Sequence, residues 1–284
     1  MATVTVPGAD GKTISLNYNN DSGLFGHASL ARAVAEAISA GIKDGAIEPS
    51  DHRVHLGVGP SIIVATGADT IAAGGSHEVF AHGVDLSYSG KSLFFVGSGG
   101  ATVFGGSGSD TLTGGKGSDL FIGGSGGHNL LNAGTGLATL VGSASGDQLF
   151  AHGADPQILY AGGGRETLSG AHASGADTFV GGSGKDLIIG NATNDTFIAG
   201  SGNETITASP SAKNVFEFVD GHAGGTVLVR DLTSASQVSL LLSGYGGASP
   251  TQTLTKDGLV VSLSDGTKIT FQNIHSDITK ITSH

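Results

Sequence analysis

Acidic side chains recur at a fixed interval in this chain. Asp177 and Asp195 stand eighteen residues apart, as do Asp186 and Glu204. Several of these acids close a glycine-rich run: residues 181–186 read GGSGKD, and Asp110 and Asp119 close GGSGSD and GGKGSD. Glycines that adopt positive φ let a tight turn aim its carbonyls inward, and the carboxylate adds charge. That donor set suits a hard divalent cation, which takes six to eight oxygens at about 2.3–2.6 Å. One turn offers half a cage, so the other half must come from a turn one coil away. Asp177 with Asp195 and Asp186 with Glu204 are the best matched pairs at that distance. Glu166 with Asp186 and Asp147 with Glu166 are looser, because the spacing is stretched there. Asp110 faces Ser92 and His128, and Asp119 faces Ala101 and Ala138, so the N-terminal half offers fewer acids.

The elements that position these acids follow from a nine-residue period. In residues 105–113 and 114–122 glycine fills unit positions one, two and four, aspartate position six and an apolar residue position eight. Carried along the chain, position eight holds Ile62, Ile71, Phe80, Phe94, Val103, Leu112, Phe121, Leu130, Leu140, Leu149, Leu159, Leu168, Phe179, Ile188, Phe197, Ile206 and Phe216. A short fixed period means stacked units, none of which can bury its apolar face alone. An all-β parallel solenoid is therefore expected.

The units GGSGSDTLT, GGKGSDLFI and GGSGKDLII resemble the nonapeptide of RTX, or haemolysin-type, calcium-binding repeats over about residues 55–219. The resemblance implies that each glycine-rich hexapeptide is a turn and each remaining triplet a short strand, two units making one coil of a parallel β-roll. It further implies Ca²⁺ as the cation, with Asp177, Asp195, Asp186, Glu204, Asp110 and Asp119 as metal ligands. Export by a one-step type I route with an uncleaved C-terminal signal is implied as well.

Composition agrees with a thin solenoid. Fifty glycines against six prolines, in 284 residues, call for many tight turns. With no Trp and four Tyr, the core must be narrow and largely aliphatic. A formal charge of −11 repels nucleic acid and anionic membrane and favours cations. The absence of Cys removes disulfides and thiolate metal sites together. No run of eighteen apolar residues is present, so membrane insertion is not expected, nor is a cleaved leader where Met1-Ala2-Thr3 enters a strand pattern.

Both ends carry different signals. Residues 3–6 and 13–17 alternate around an Asp-Gly step and read as a hairpin. Leu30, Val34, Ile38 and Ile42 mark an amphipathic helix over 27–44, which would cap the first open coil. Beyond Phe216 the frame fades, and residues 227–229, 238–242, 259–263 and 269–271 read as antiparallel strands that seal the other end. Three regions result: a cap at 1–54, a roll at 55–219 and a C-terminal β module at 220–284. The echoed FAHGVD and FAHGAD mark bulges or widened coils and raise a pairing of His82 with His152.

Catalytic patterns fail on context. Residues 123–127, GGSGG, fit a nucleophile elbow in letters only, since the serine sits in a repeat turn and not between strand and helix. Residues 85–92 lack the first glycine of a phosphate loop, and no HExxH is present. Arg32, Arg53, Arg165 and Arg230 are scattered, and the threonines at position seven form an interrupted row. The expectation is a secreted, non-enzymatic roll that assembles head to tail with itself outside the cell, as matrix fibre, surface layer or adhesive coat. Extracellular polysaccharide is a further candidate partner. A monomeric ligand-binding module and a polysaccharide-modifying enzyme of β-helix type are the alternatives.

Overall fold

A triplet between two glycine turns can hold one short strand with a single inward side chain. The computed structural model shows this unit repeated. It describes the strands Ala2–Pro7 and Thr13–Tyr18, the strands between residues 53 and 104, and residues 109–123, 127–142 and 145–283. Successive strands alternate between two sheets. The first, of 13 strands, begins at Ser61–Ala65 and ends at Thr251–Thr255; the second, of 12, begins at Arg53–Leu56 and ends at Ile281–Ser283. The fold is an all-β parallel solenoid. Among the described residues no helix is long and apolar enough to cross a membrane.

Register explains the core. In the first sheet Leu112, Leu131, Leu149, Leu168, Ile188, Ile206, Val229 and Phe271 stand in one column. In the second, Phe121, Leu140, Leu159, Phe179, Phe197, Phe216 and Leu240 do the same. All are buried, while the flanking residues of each triplet face outward, because side chains alternate along a strand. The ring of Phe197 stacks on Phe179 at 5.4 Å and on Phe216 at 5.2 Å, close to the spacing of adjacent strands. Phe216 then meets Phe271 of the opposite sheet edge-on at 5.4 Å, which joins the two columns.

The structure corrects the sequence frame at three places. Leu131, not Leu130, is the inward residue, because the coil from Leu112 to Leu131 holds nineteen residues and His128 takes φ 64° in the lengthened turn. Nearer the N-terminus the coils shorten, and Ile63, Val79 and Phe94 share the column where Ile62 and Phe80 were expected. Thr226–Arg230 and Val238–Ser243, expected antiparallel, run parallel to Glu204–Thr207 and Asn214–Val219. The apolar alternation continues there while the glycine turn is replaced. Gly221 and Gly225 take φ 77° and 74°, and a Ser234-capped 3₁₀ turn leads into Val238–Ser243. The parallel ladders thus cross residue 219 without a break.

Antiparallel pairing does occur at the C-terminus, where Gly258–Ser262 pairs with both Thr251–Thr255 and Lys268–Gln272. Lys268–Gln272 is also parallel to Thr226–Arg230, so this hairpin is built into the first sheet. At the other end Ala2–Pro7 and Thr13–Tyr18 form the expected hairpin. The helix expected over 27–44 lies outside the described residues, as does His82. His152 follows a register shift and stacks on His172, with ring centroids 5.9 Å apart.

Glycine is required where coils touch. A Cβ on Gly184 would lie 1.5 Å from the carbonyl oxygen of Gly164 in the preceding coil, closer than any contact allows. Gly184→Ala should therefore force the coils apart and destabilise the roll by about 1–3 kcal/mol, read by chemical denaturation. A neutral substitution there would show that the coils are less closely stacked.

Candidate metal centre

Each position-six residue immediately precedes, or opens, a strand, so the two sheets carry two separate ladders of these residues. Alongside the first sheet the order is Asp110, Asn129, Asp147, Glu166, Asp186, Glu204. Alongside the second it is Asp119, Ala138, Gln157, Asp177, Asp195, Asn214. All but Ala138 are polar and buried to within a few per cent of fully. Asp177 lies next to Asp195 and Asp186 next to Glu204, as the eighteen-residue spacing required. Asp119 lies beside Ala138. Asp110 neighbours Asn129 and not His128, a consequence of the nineteen-residue coil.

The carboxylates hold the turns in a regular way. One oxygen accepts from the backbone N–H of the equivalent residue one coil back: Asp177 N–H to Asp195 Oδ1 at 2.9 Å, and Glu166 N–H to Asp186 Oδ1 at 3.1 Å. An oxygen can also accept from the N–H four residues earlier and so close its own turn. Gly115 to Asp119 at 3.1 Å, Gly182 to Asp186 at 2.9 Å, Asn191 to Asp195 at 2.8 Å and Gly200 to Glu204 at 2.7 Å are the cases. Asn129 and Asn214 make the coil-to-coil bond with an amide oxygen, accepting from Asp110 N–H at 2.8 Å and Asp195 N–H at 3.0 Å. Amides thus continue the ladder without charge.

Charge accumulates where the acids are consecutive. Asp147, Glu166, Asp186 and Glu204 occupy four successive coils, so the pairs that the stretched spacing made look looser are neighbours in the densest acidic run. Burial, and next the carboxyl of Asp186 and the charge of Asp147, push the Glu166 carboxyl up to about 8. Burial pushes Glu204 up to about 8, with the Asp186 charge adding and the Gly200 N–H opposing. Asp177 rises to about 7, chiefly through burial, and Asp195 is raised by burial too.

These shifts carry a stability sign. An acid whose folded pKa is raised stabilises the fold fully below its unfolded pKa, and that contribution is lost as pH rises through the folded value. For Glu204, Glu166 and Asp177 the window runs from the ordinary carboxylate range up to about 7–8. In chelator, the melting temperature should therefore be higher at pH 5 than at pH 9, read by circular dichroism. A melting temperature that rises across that window would show that the acids are not strained by burial.

The donor set can be tested against a cation directly. With the acids ionised, the carboxyl oxygens of Glu166 and Oε2 of Glu204 are buried without a close donor, whereas a protonated Glu166 shares its proton with the Asp186 carboxyl. Buried carboxylate oxygens without a donor, beside other carboxylates, fit Ca²⁺. Among the described residues no three acidic or imidazole groups converge on one point, so an ion would rest on two carboxylates and backbone carbonyls. Glu166 with Asp186, or Asp186 with Glu204, are the neighbouring pairs that would hold it. Bound there, the ion would supply the positive charge that this ladder lacks.

At Asp177 and Asp195 the surroundings differ. Asn191 and Thr193 replace the glycines at unit positions two and four. Asn191 Nδ2 donates to Gly175 O at 2.8 Å and to Asp177 Oδ2 at 3.1 Å, and Thr193 Oγ1 donates to Gly175 O at 2.5 Å. Protein donors already fill this cradle.

None of the curated proteins compared matches the chain. The family model of the RTX calcium-binding nonapeptide repeat matches four copies, at residues 95–127 and 173–206, the second block spanning Asp177 to Glu204. The chain therefore carries RTX nonapeptide repeats, a calcium-binding repeat, on the ladders that hold its buried carboxylates.

Proposed function

We propose that the chain is a secreted structural protein whose roll is completed by calcium outside the cell and then joins copies of itself into a fibre, surface layer or matrix. The observation that carries this reading is the first-sheet ladder of buried, mutually repelling acids. Such a ladder is unfavourable where free calcium is scarce, as inside a cell, and favourable where calcium is abundant, as outside. Folding would thus be tied to export.

Assembly is supported by the sheet ends. Thr251–Thr255 is the outermost strand of the first sheet; it carries no charge, and Leu254 is 54% exposed. A free, uncharged edge of this kind is a template for pairing with another chain. At the opposite end Ala2–Pro7 lies against Ser61–Ala65, so the two ends are unlike. Unlike ends associate head to tail, and a rotation that does not close produces an open filament.

Sedimentation and electron microscopy in millimolar calcium test this. The two-residue turn Lys256-Asp257 makes Thr255 and Gly258 the closing hydrogen-bonded pair, so alternation aims the backbone groups of Leu254 outward. Leu254→Pro should remove that free donor, keep the roll folded and shorten or abolish the assemblies. A dispersed monomer at high concentration in calcium and moderate salt would sink the assembly reading. A monomeric binding module would then take its place, for which one feature speaks. Arg165, Lys185 and Arg230 border an open groove with Thr167, Thr205 and Thr270, whose lining also includes Glu166, Asp186 and Glu204, a mixed polar surface on which a polysaccharide could rest.

A further inference from the structure

Calcium is the cation this repeat binds, but the two ladders of this chain are not equivalent. The unpartnered carboxylate oxygens of Glu166 and Glu204 both belong to the first-sheet ladder. In the second-sheet ladder two amide nitrogens stand among oxygens of the kind a cation would gather. Gln157 Nε2 donates to three carbonyls: Gly134 and Gly136, both at 2.8 Å, and His152 at 2.7 Å. Gly134 and Gly136 lie in the turn one coil back and His152 opens the turn of Gln157 itself, so these oxygens come from two stacked turns. Gln157 is 1% exposed, and its backbone N–H is accepted by Asp177 Oδ1 at 2.9 Å, which fixes it in the ladder.

Asn191 repeats the arrangement two coils on. Its Nδ2 bridges the Gly175 carbonyl and Asp177 Oδ2, while its Oδ1 accepts from Thr193 N–H at 2.7 Å. Its own N–H is held by Asp195 Oδ2. The side chain is 6% exposed and aimed between the two acids by three bonds. An amide NH₂ is a donor with partial positive charge and two hydrogens, so it can satisfy inward carbonyls and a carboxylate oxygen without an ion.

We infer that Gln157 and Asn191 stand in for calcium in the second-sheet turns, so that calcium binding among the described coils is confined to the first-sheet edge around Glu166, Asp186 and Glu204. This rests on the calcium reading above and deepens it: the roll has one edge that needs the ion and one held by its own amides. A thread of metal-independent turns would keep strand register while the other edge responds to calcium. Hydrogen exchange in chelator should then rise at residues 181–186 and 199–204 and stay low at 190–195.

Calcium stoichiometry, measured on the full chain by equilibrium dialysis with a circular dichroism melt alongside, tests the inference. Asp186→Asn should lose a bound ion, whereas Asp195→Asn, which keeps an acceptor of the same shape, should lose none. Restoring the repeat's glycines with Asn191→Gly and Thr193→Gly should create a site, gaining a bound ion and a melting temperature that now depends on calcium. If that double variant folds only when calcium is added, the substitution has been demonstrated in the strongest form. If it stays unfolded or gains no ion with calcium present, or if Asp195→Asn loses as much as Asp186→Asn, the inference fails while the calcium reading stands. A wild-type chain that binds no calcium removes both.

Discussion

Chelation should lower the melting temperature of the roll by about 5–10 °C for each calcium site that was occupied. An ion that binds only the folded state stabilises it by RT ln(1 + [Ca²⁺]/Kd), about 2.7 kcal/mol at a hundredfold excess over Kd. For a chain of this size each kcal/mol moves the melt by roughly 2–4 °C. The effect is expected because Glu166 and Glu204, when ionised, are otherwise buried with oxygens that lack a donor, and their folded pKa values are pushed up to about 8. Calcium gives those oxygens a partner and holds the acids in their charged form. In calcium the fall in stability from pH 5 to pH 9 should therefore flatten or reverse. Asp186→Ala should abolish more of the calcium response than Asp119→Ala, because Asp186 has acids in both adjacent coils and Asp119 lies beside Ala138. Identical melts with and without EDTA would mean that glycine geometry and backbone hydrogen bonds hold the turns alone.

Much of this arrangement is legible in the sequence because the repeat ties two signals together. An apolar residue two places after each acid fixes the inward face, and the eighteen-residue interval fixes which acids meet. Asp177 with Asp195 and Asp186 with Glu204 follow from counting. Counting fails where a turn gains residues without announcing it. The extra residue before Asn129 moves Leu131 inward and gives Asp110 a different neighbour, and His128 in a left-handed conformation is not a residue from which such a turn would be read. It fails again at Thr226–Arg230, where the strand pattern persists but the glycine turn does not. The amide substitutions are the least legible. Asn191 and Thr193 read as a degraded repeat, and only the positions of their side-chain atoms show that they complete the turn.

Phe197→Ala should cost about 3–5 kcal/mol, whereas Thr196→Ala, one residue away, should cost well under 1 kcal/mol. Phe197 is 1% exposed and lies between two rings, Phe179 at 5.4 Å and Phe216 at 5.2 Å, so truncation removes two stacking contacts and leaves a void between coils. A solenoid cannot relax such a void from the sides, because each coil is pinned by ladder hydrogen bonds above and below. Thr196 points outward and is half-buried only by its neighbours, so its loss exposes little. The void should also be transmitted along the column. Phe216 rests on Phe197 on one face and meets Phe271 edge-on, so Phe197→Ala should loosen the contact between the sheets near the C-terminal hairpin. Chemical denaturation in saturating calcium separates this loss from any change in ion binding, since Glu166, Asp186 and Glu204 beside the first sheet stay in place. Equal losses from the two substitutions would place the inward face one residue away from Phe197 and overturn the register on which both ladders depend.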